Sequence, residues 1–258
     1  MAGVIDDARA EFGMYPFASV RRAWDALWAA VHERAPWTPD RLTWSGDVHA
    51  AWADGDVVVT HICGGPFAGV HHRDMTLIGA FSLDLPDAEP PAHYRTVLLS
   101  PHDVPLDRLI GPDVRAVASS TDSLSGWSSL LAATVGPGAG WPGPVTFTGA
   151  HYGSVRALAV GDGDLASIDA WSLAFIATEE PELLTSLYRV GTGPRIPTPA
   201  VTARASVDQT LAGELRTAFR GALASDELTA VRTALHIAGF EHVHLDDYLA
   251  IRPLSPTA

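Results

Sequence analysis

Hydrophobic residues recur at two different spacings along the chain, and the two spacings alternate. Short, continuous apolar runs such as residues 57–61 and 165–168 are bounded by acidic residues or glycine, which is typical of interior strands. Elsewhere apolar residues recur every three or four positions, which indicates helices with one buried face. The clearest helical set consists of Val20, Trp24, Leu27, Trp28 and Val31. The pattern therefore predicts strands and helices in alternation.

The predicted elements cover most of the chain. Strands are predicted over residues 8–15, 57–61, 75–81, 94–99, 114–118, 144–147, 165–168 and 188–191. Helices are predicted over residues 20–31, from about residue 126, and over residues 154–160, 172–178, 181–187, 207–224 and 226–238. Because strands alternate with helices, we expect an α/β fold whose sheets are rich in parallel strands.

Two stretches of unusual composition divide this pattern. Residues 84–92 are acidic and proline-rich, and residues 191–199 are rich in glycine and proline, which is typical of connections between lobes. We therefore predict two lobes joined by two crossings at these stretches. The first lobe would combine residues 1–83 with 191–258, and the second would comprise residues 84–190. A ligand cleft is expected between the lobes, where strand C-termini and helix N-termini converge.

Charge and composition exclude several classes of function. The formal net charge is −13, from 17 arginines against 30 acidic residues, so no basic surface is available for nucleic acid. Since the chain has no lysine, it cannot supply a Walker A lysine or form a pyridoxal Schiff base. Its one cysteine, Cys63, forms no internal disulfide, and its histidines lack the spacing of known metal sites. We expect no nucleic-acid partner, no cofactor and no metal.

The sequence contains no segment suited to a bilayer. A span needs about 18 consecutive apolar residues, and no such run occurs. The N-terminal residues open with acids and lack the apolar core of a secretory leader. We therefore expect a protein that is not membrane-embedded. It would be cytoplasmic as written, or periplasmic or extracellular if a leader has been removed.

The strongest candidate for ligand chemistry is the serine-rich segment 119–126. It follows a predicted strand and precedes a predicted helix, so its hydroxyls and unpaired backbone N–H groups would point the same way. Such a turn can bind an anion without any lysine. The alternative interpretation is an ordinary helix cap, in which Asp122 or Ser123 accepts a hydrogen bond from the first turn.

Two histidines lie where predicted strands end. His151 stands between a strand and a helix, where it could donate to an anion or act as an acid or base. Its alternative is a hydrogen-bonded loop histidine. His61 and Cys63 lie on the same side of an extended chain, so they could form a two-ligand metal site or a Cys–His nucleophile pair. A packed cysteine beside a loop histidine is the more common arrangement.

Five segments of the chain, taken together, match the motifs of one protein family. Residues 14–28 look like the first strand and helix of that family, and residues 60–66 resemble the Q-x-C-G-x-P segment of one of its branches. Residues 123–126 match S-x-S-G, residues 148–154 are similar to T-G-S-H-x-x-S, and residues 161–169 to G-x-A-D-x-A-x-I-D. Taken in order, they resemble the phosphate-, phosphite- and phosphonate-binding proteins of ABC importers. Those proteins are a branch of the type II periplasmic-binding-protein fold.

This resemblance implies a two-lobe α/β fold with a ligand cleft between the lobes. It also implies a set of ligand-binding residues: Tyr15, His61, Ser123, Ser125, Gly126, His151 and Asp169. The serines and the helix N-terminus would hold an oxyanion, whereas Asp169 would suit a protonated or amino-bearing ligand. The chain departs from the family at His61, where the branch usually has glutamine, and at residues 164–165, which are shifted from the expected Ala-Asp pair.

Two classes of function stay open. The first is a solute-binding protein that closes on a small oxyanion such as a phosphonate, phosphite or phosphate, with an ABC permease as a candidate partner. The second is a cofactor-free enzyme of the same fold, resembling the lyases of menaquinone synthesis. In that enzyme His151 would act as an acid or base on a carboxylate or phosphorylated metabolite. Fold analogy favours binding over catalysis.

Overall fold

The computed structural model describes residues 8–254, apart from the side chain of Pro253. The strands in this range are β1 (Arg9–Glu11), β2 (Leu42–Thr43), β3 (Val57–Ile62), β4 (Met75–Leu83), β5 (His93–Ser100), β6 (Ala116–Ala118), β7 (Val145–Phe147), β8 (Leu165–Ile168), β9 (Tyr188–Pro197), β10 (Ala200–Arg204) and β11 (Ile237–Glu241). The α-helices are α1 (Ala18–Arg34), α2 (Val48–Ala53), α3 (Gly64–Gly69), α4 (Ser129–Ala133), α5 (His151–Ala159), α6 (Ala170–Glu179), α7 (Gln209–Ala224), α8 (Thr229–Leu235) and α9 (Leu245–Leu249). No helix within residues 8–254 is long and apolar enough to cross a bilayer.

The chain folds into two compact units, each with its own sheet. Unit 1 comprises the described residues up to Asp84, together with Pro90–Ala92 and Pro197–Tyr248. Unit 2 comprises Leu85–Glu89, His93–Ile196 and the described residues after Tyr248. Both units therefore combine segments that are distant in the sequence.

Unit 1 is built on a six-stranded mixed sheet in the order β11-β4-β10-β3-β1-β2. Strand β1 pairs in parallel with β2 and β3, whereas β10 runs antiparallel to both β3 and β4. Helix α1 packs against this unit through the five apolar residues that its spacing predicted. Helix α7 contributes Phe219, whose ring stacks on Phe240 at 4.7 Å between centroids. Burial of such side chains, at about 1.5–3 kcal/mol each, stabilises the unit.

Unit 2 is built on a five-stranded mixed sheet in the order β7-β6-β8-β5-β9. Strand β6 pairs in parallel with β7 and with β8, and β5 pairs antiparallel to β8. A buried apolar cluster lies beside these strands: Leu98, Leu109, Ala116, Ala118, Trp127, Leu130, Leu131 and Leu165. The three parallel strands end at one edge of the sheet, and the turns that follow them meet there.

The two sheets are mixed, which corrects the expectation of sheets rich in parallel strands. The predicted helix over residues 226–238 is also wrong at its end. Helix α8 ends at Leu235, and His236 adopts a left-handed conformation with φ of 51°. The following residues form β11, which pairs antiparallel with β4 and buries Ile237 and Phe240. Strand pairing and apolar burial therefore override the helical pattern here.

The glycine- and proline-rich stretch 191–199 is mostly strand, since β9 runs to Pro197 and β10 begins at Ala200. Its glycines reflect close packing. A Cβ atom at Gly193 would lie 2.1 Å from Thr96 Oγ1, so no other residue fits there without displacing Thr96. Glycine at such a position permits close approach of two strands. The glycine- and proline-rich composition of this stretch, interpreted from the sequence as a connection between lobes, therefore lies largely within a packed strand.

Asp164 anchors the turn before β8, and its substitution should cost stability in a pH-dependent way. Its carboxylate accepts hydrogen bonds from Arg115 Nε at 3.0 Å, Nη2 at 2.7 Å and the backbone N–H at 2.8 Å. These donors, the Arg115 side chain first, lower the pKa of Asp164 to about 2. A lowered carboxyl pKa adds stability above its ordinary value near 4, and that stability is lost as the pH falls towards 2.

Asp164→Asn should therefore destabilise the protein by about 1–2 kcal/mol at pH 7, and the loss should shrink between pH 4 and pH 2. Urea unfolding of both proteins across this pH range measures the difference. Asp113→Asn is the matched control, because Asp113 is an exposed carboxylate in the turn that precedes β6. A pH-independent difference would contradict this account.

Candidate functional site

Five of the seven residues implicated by the sequence belong to unit 2. Ser123, Ser125 and Gly126 follow β6, His151 follows β7, and Asp169 follows β8. Because β6 pairs in parallel with both other strands, the turns after all three lie at the same sheet edge. The parallel pairing thus brings these residues together. We call residues 123–126 and His151 the serine–histidine site.

The serine-rich segment forms a capped turn. Gly126 N–H donates to Ser123 Oγ at 2.9 Å, so Ser123 is the helix cap that the sequence offered as an alternative. Residues Leu124–Ser128 form a π-helical turn in which Ser128 N–H donates to Ser123 O at 3.0 Å, and α4 continues from it. Single π turns within helices are frequent at functional sites. The two interpretations of this segment, a helix cap and an anion-binding turn, therefore do not exclude each other.

Two backbone donors remain at the start of this turn. No residue within 8–254 accepts a hydrogen bond from the N–H of Leu124 or of Ser125. N–H groups in the first turn of a helix have no partner inside the helix, and they carry the positive end of its dipole. They are therefore suited to an anion.

Ser125 and His151 are joined by a short hydrogen bond. Ser125 Oγ and His151 Nε2 lie 2.8 Å apart, and Asp169 N–H lies 3.4 Å from His151 Nδ1. Ser125 is also held through its backbone, because the Ser167 hydroxyl donates to its carbonyl oxygen at 2.7 Å. Both elements of the site are thus fixed by contacts with β8 and the residue that follows it.

His151 is neutral near pH 7. Loss of hydration lowers the pKa of its imidazole, and the nearby carboxylate of Asp169 opposes this effect only in part. The carboxylate of Asp169 is itself buried. Its Oδ1 accepts from Ser172 N–H at 2.7 Å, which caps α6, and its Oδ2 accepts from the Tyr94 hydroxyl at 2.5 Å.

Tyr15 and His61 belong to unit 1 and lie in its aromatic core. Each is 1% exposed, and the ring of His61 lies 5.5 Å from Phe12, 5.6 Å from Tyr15 and 6.0 Å from Trp24. Burial lowers the pKa of His61 to about 3, so the ring is neutral. Their contact with a ligand stays a prediction, since within unit 1 both side chains are shielded from water.

The metal alternative for His61 and Cys63 lacks further ligands. Within the described residues no three or more histidine, cysteine, aspartate or glutamate side chains are grouped so as to hold a metal ion. Cys63 is partly buried at the start of α3. The packed arrangement that the sequence offered as the more common one agrees with the environment of His61.

Sequence reasoning missed the groups that support the site from β5. Tyr94 is buried and bonds to Asp169 across 75 sequence positions, and the Thr96 hydroxyl lies 2.8 Å from Ser167 Oγ. Neither residue occurs in a motif near residues 123–126 or 148–151. Only the antiparallel pairing of β5 with β8 brings them to the site.

Comparison with known proteins bears on this arrangement. A family model described as "ABC transporter, phosphonate, periplasmic substrate-binding protein" matches residues 12–248. PhnD1 from Prochlorococcus marinus, solved in complex with methylphosphonate, superposes with a TM-score of 0.73 at 12% identity, over 96% of this chain and 97% of that one. A binding protein component of an ABC phosphonate transporter from Pseudomonas aeruginosa gives 0.70 at 14% identity, over 96% and 85%. No curated protein sequence matches the chain.

These likenesses establish the fold. The chain has the two-lobe α/β fold of periplasmic binding proteins, as the sequence predicted. A third solved protein of this fold, from Xanthomonas citri and bound to chloride, gives a TM-score of 0.67 at 14% identity, over 96% of this chain and 94% of that one.

Gly126→Ala should disrupt the capped turn. A Cβ atom at this position would lie 2.7 Å from Ser119 Oγ and 2.9 Å from Ser123 Oγ, so the Ser123 cap must move. We expect a loss of about 1–2 kcal/mol in urea unfolding, as for other lost caps. Gly213→Ala is the control, because nothing lies within 4 Å of its Cβ position in α7. That helix substitution should stabilise by about 0.5–1 kcal/mol. Equal effects of the two variants would contradict the assignment.

Proposed function

Because the chain belongs to the family of periplasmic substrate-binding proteins of phosphonate ABC transporters, we propose that its serine–histidine site binds a small oxyanion. The candidate ligands are a phosphonate, phosphite or phosphate. The chain is a solute-binding protein by family membership. What remains to be proposed is the ligand, the residues that hold it and the partner that receives it.

The observation that carries the proposal is the set of neutral donors at one sheet edge. The N–H groups of Leu124 and Ser125 and the Ser125 hydroxyl lie on the turn after β6, and His151, on the turn after β7, is hydrogen-bonded to that hydroxyl. These groups are dipoles and a hydroxyl, and the chain has no lysine, so an anion held by them would be met without a lysine charge. A tetrahedral oxyanion has several oxygens that can accept such hydrogen bonds. Its charge would make those hydrogen bonds stronger than neutral ones.

The family and its solved relatives support the choice of ligand and partner. The Prochlorococcus protein was solved with methylphosphonate, which makes that compound the first ligand to test. As the family is one of ABC transporter components, we propose an ABC permease as the partner and the periplasm as the place of action. The comparisons give no support to the lyase-like enzyme, whose acid or base would be His151.

Ser125→Ala should weaken oxyanion binding tenfold to a hundredfold. A lost hydrogen bond to a charged group costs about 1.5–3 kcal/mol. Isothermal titration with methylphosphonate, phosphite and phosphate measures the affinity of the wild-type protein and the variant. Ser120→Ala is the matched control in the same segment, because the Ser120 hydroxyl bonds to Asp122 at 2.6 Å. Undiminished affinity in Ser125→Ala, or no binding of any of the three ions by the wild-type protein, would contradict the proposed function.

His151→Ala distinguishes a binder from an enzyme. In a binding protein the loss of the Nε2 contact to Ser125 should lower affinity for methylphosphonate by about tenfold, with no turnover in either protein. Titration gives the affinity, and phosphorus NMR of the incubated ligand reveals any product. Turnover by the wild-type protein that disappears in the variant while affinity is kept would favour the enzyme instead.

A further inference from the structure

His151 lies between two polar groups of different character. Its Nε2 faces Ser125 Oγ at 2.8 Å, and its Nδ1 faces the backbone N–H of Asp169 at 3.4 Å. A hydroxyl can donate or accept a hydrogen bond, whereas a backbone N–H can only donate. The Asp169 amide therefore requires Nδ1 to be the acceptor nitrogen of the ring.

This requirement fixes the position of the ring proton. A neutral imidazole carries one proton, so an accepting Nδ1 places that proton on Nε2. Nε2–H then donates to Ser125 Oγ. The hydroxyl proton of Ser125 is not used by the ring, and it can be donated to another acceptor. With the opposite tautomer, Ser125 would give its proton to Nε2 and would present only lone pairs.

The Asp169 amide is held in place by the carboxylate of the same residue. Oδ1 accepts from Ser172 N–H in the first turn of α6, and Oδ2 accepts from the Tyr94 hydroxyl on β5. Tyr94 and Asp169 are each 2% exposed, so these hydrogen bonds are shielded from water. Strand β5 pairs with β8 directly before Asp169, with Val97 opposite Ile168. The hydrogen bonds of the Asp169 carboxylate and the pairing of β8 with β5 thus both fix the peptide that faces His151.

We propose that Tyr94 and Asp169 are positioning residues that keep His151 in the Nε2–H tautomer and thereby make Ser125 a proton donor towards the anion. This inference rests on the proposed function. It assigns Asp169 a role different from the ligand contact implied by the sequence. The carboxylate acts through the peptide that orients His151.

The arrangement is the reverse of a nucleophilic serine. In a Ser–His–Asp triad a carboxylate accepts from Nδ1–H, and Nε2 takes the serine proton. Here an N–H group stands at Nδ1, so His151 has no lone pair on Nε2 for that proton. Ser125 is thereby suited to donate a hydrogen bond to an anion and unsuited to attack a carbonyl or phosphoryl group.

Nitrogen NMR tests the tautomer directly. Two-bond proton–nitrogen correlation spectra of the ligand-free, ¹⁵N-labelled protein distinguish Nε2–H from Nδ1–H histidine, and the His151 signals are those missing from His151→Ala. We expect the Nε2–H pattern in the wild-type protein at pH 7.5. Tyr94→Phe, which removes one hydroxyl, should add Nδ1–H character and weaken methylphosphonate binding about 3- to 10-fold. Tyr188→Phe, at an exposed tyrosine of the same unit, should change neither.

The outcomes separate this inference from the proposed function. An Nδ1–H ring in a wild-type protein that binds methylphosphonate overturns the inference alone, as does a Tyr94→Phe variant with unchanged tautomer and affinity. An Nε2–H ring in a wild-type protein that binds none of methylphosphonate, phosphite and phosphate confirms the tautomer and contradicts the proposed function. The wild-type tautomer is read without Tyr94→Phe, so the inference can be overturned even if that variant fails to fold.

Discussion

The parallel pairing of β6 with β7 and β8 is the constraint on which the site depends. Each of these strands is three or four residues long, and each is followed by a turn that carries part of the site. Parallel strands end at the same sheet edge, so three segments that are distant in sequence meet without any long loop. The antiparallel strand β5 then adds the hydroxyl groups that support them. Short strands in this order thus position chemistry that none of the turns holds alone.

A second constraint is the acidic charge of a chain that has no lysine. The chain carries a net charge of −13, so the oxyanion proposed as its ligand would be held against the charge of the whole protein. The backbone and hydroxyl dipoles of the proposed site would favour the anion locally, because they act at short range. Burial keeps His151 and His61 neutral, so neither ring adds positive charge.

The sequence predicted the parts of the structure that local patterns encode. The apolar spacing of α1 and the S-x-S-G turn at residues 123–126 were both predicted, and the cap at Ser123 was anticipated as an alternative. Features that depend on pairing between distant segments were not predictable. Strand β11 follows a helical pattern and exists because β4 offers it a partner. Tyr94 supports the site from another strand, and no neighbouring motif marks it.

The π-helical turn at Leu124–Ser128 has a consequence for how this site could have arisen. Such a turn holds one residue more than an α-helical turn, so it is equivalent to an insertion into an existing helix. Removing that residue would leave a regular helix. It would also rotate everything before it by about 100° relative to α4. Ser125 would then turn away from His151 while Ser128 and Ser129 kept their buried positions. A single codon gained or lost would therefore create or abolish the contact.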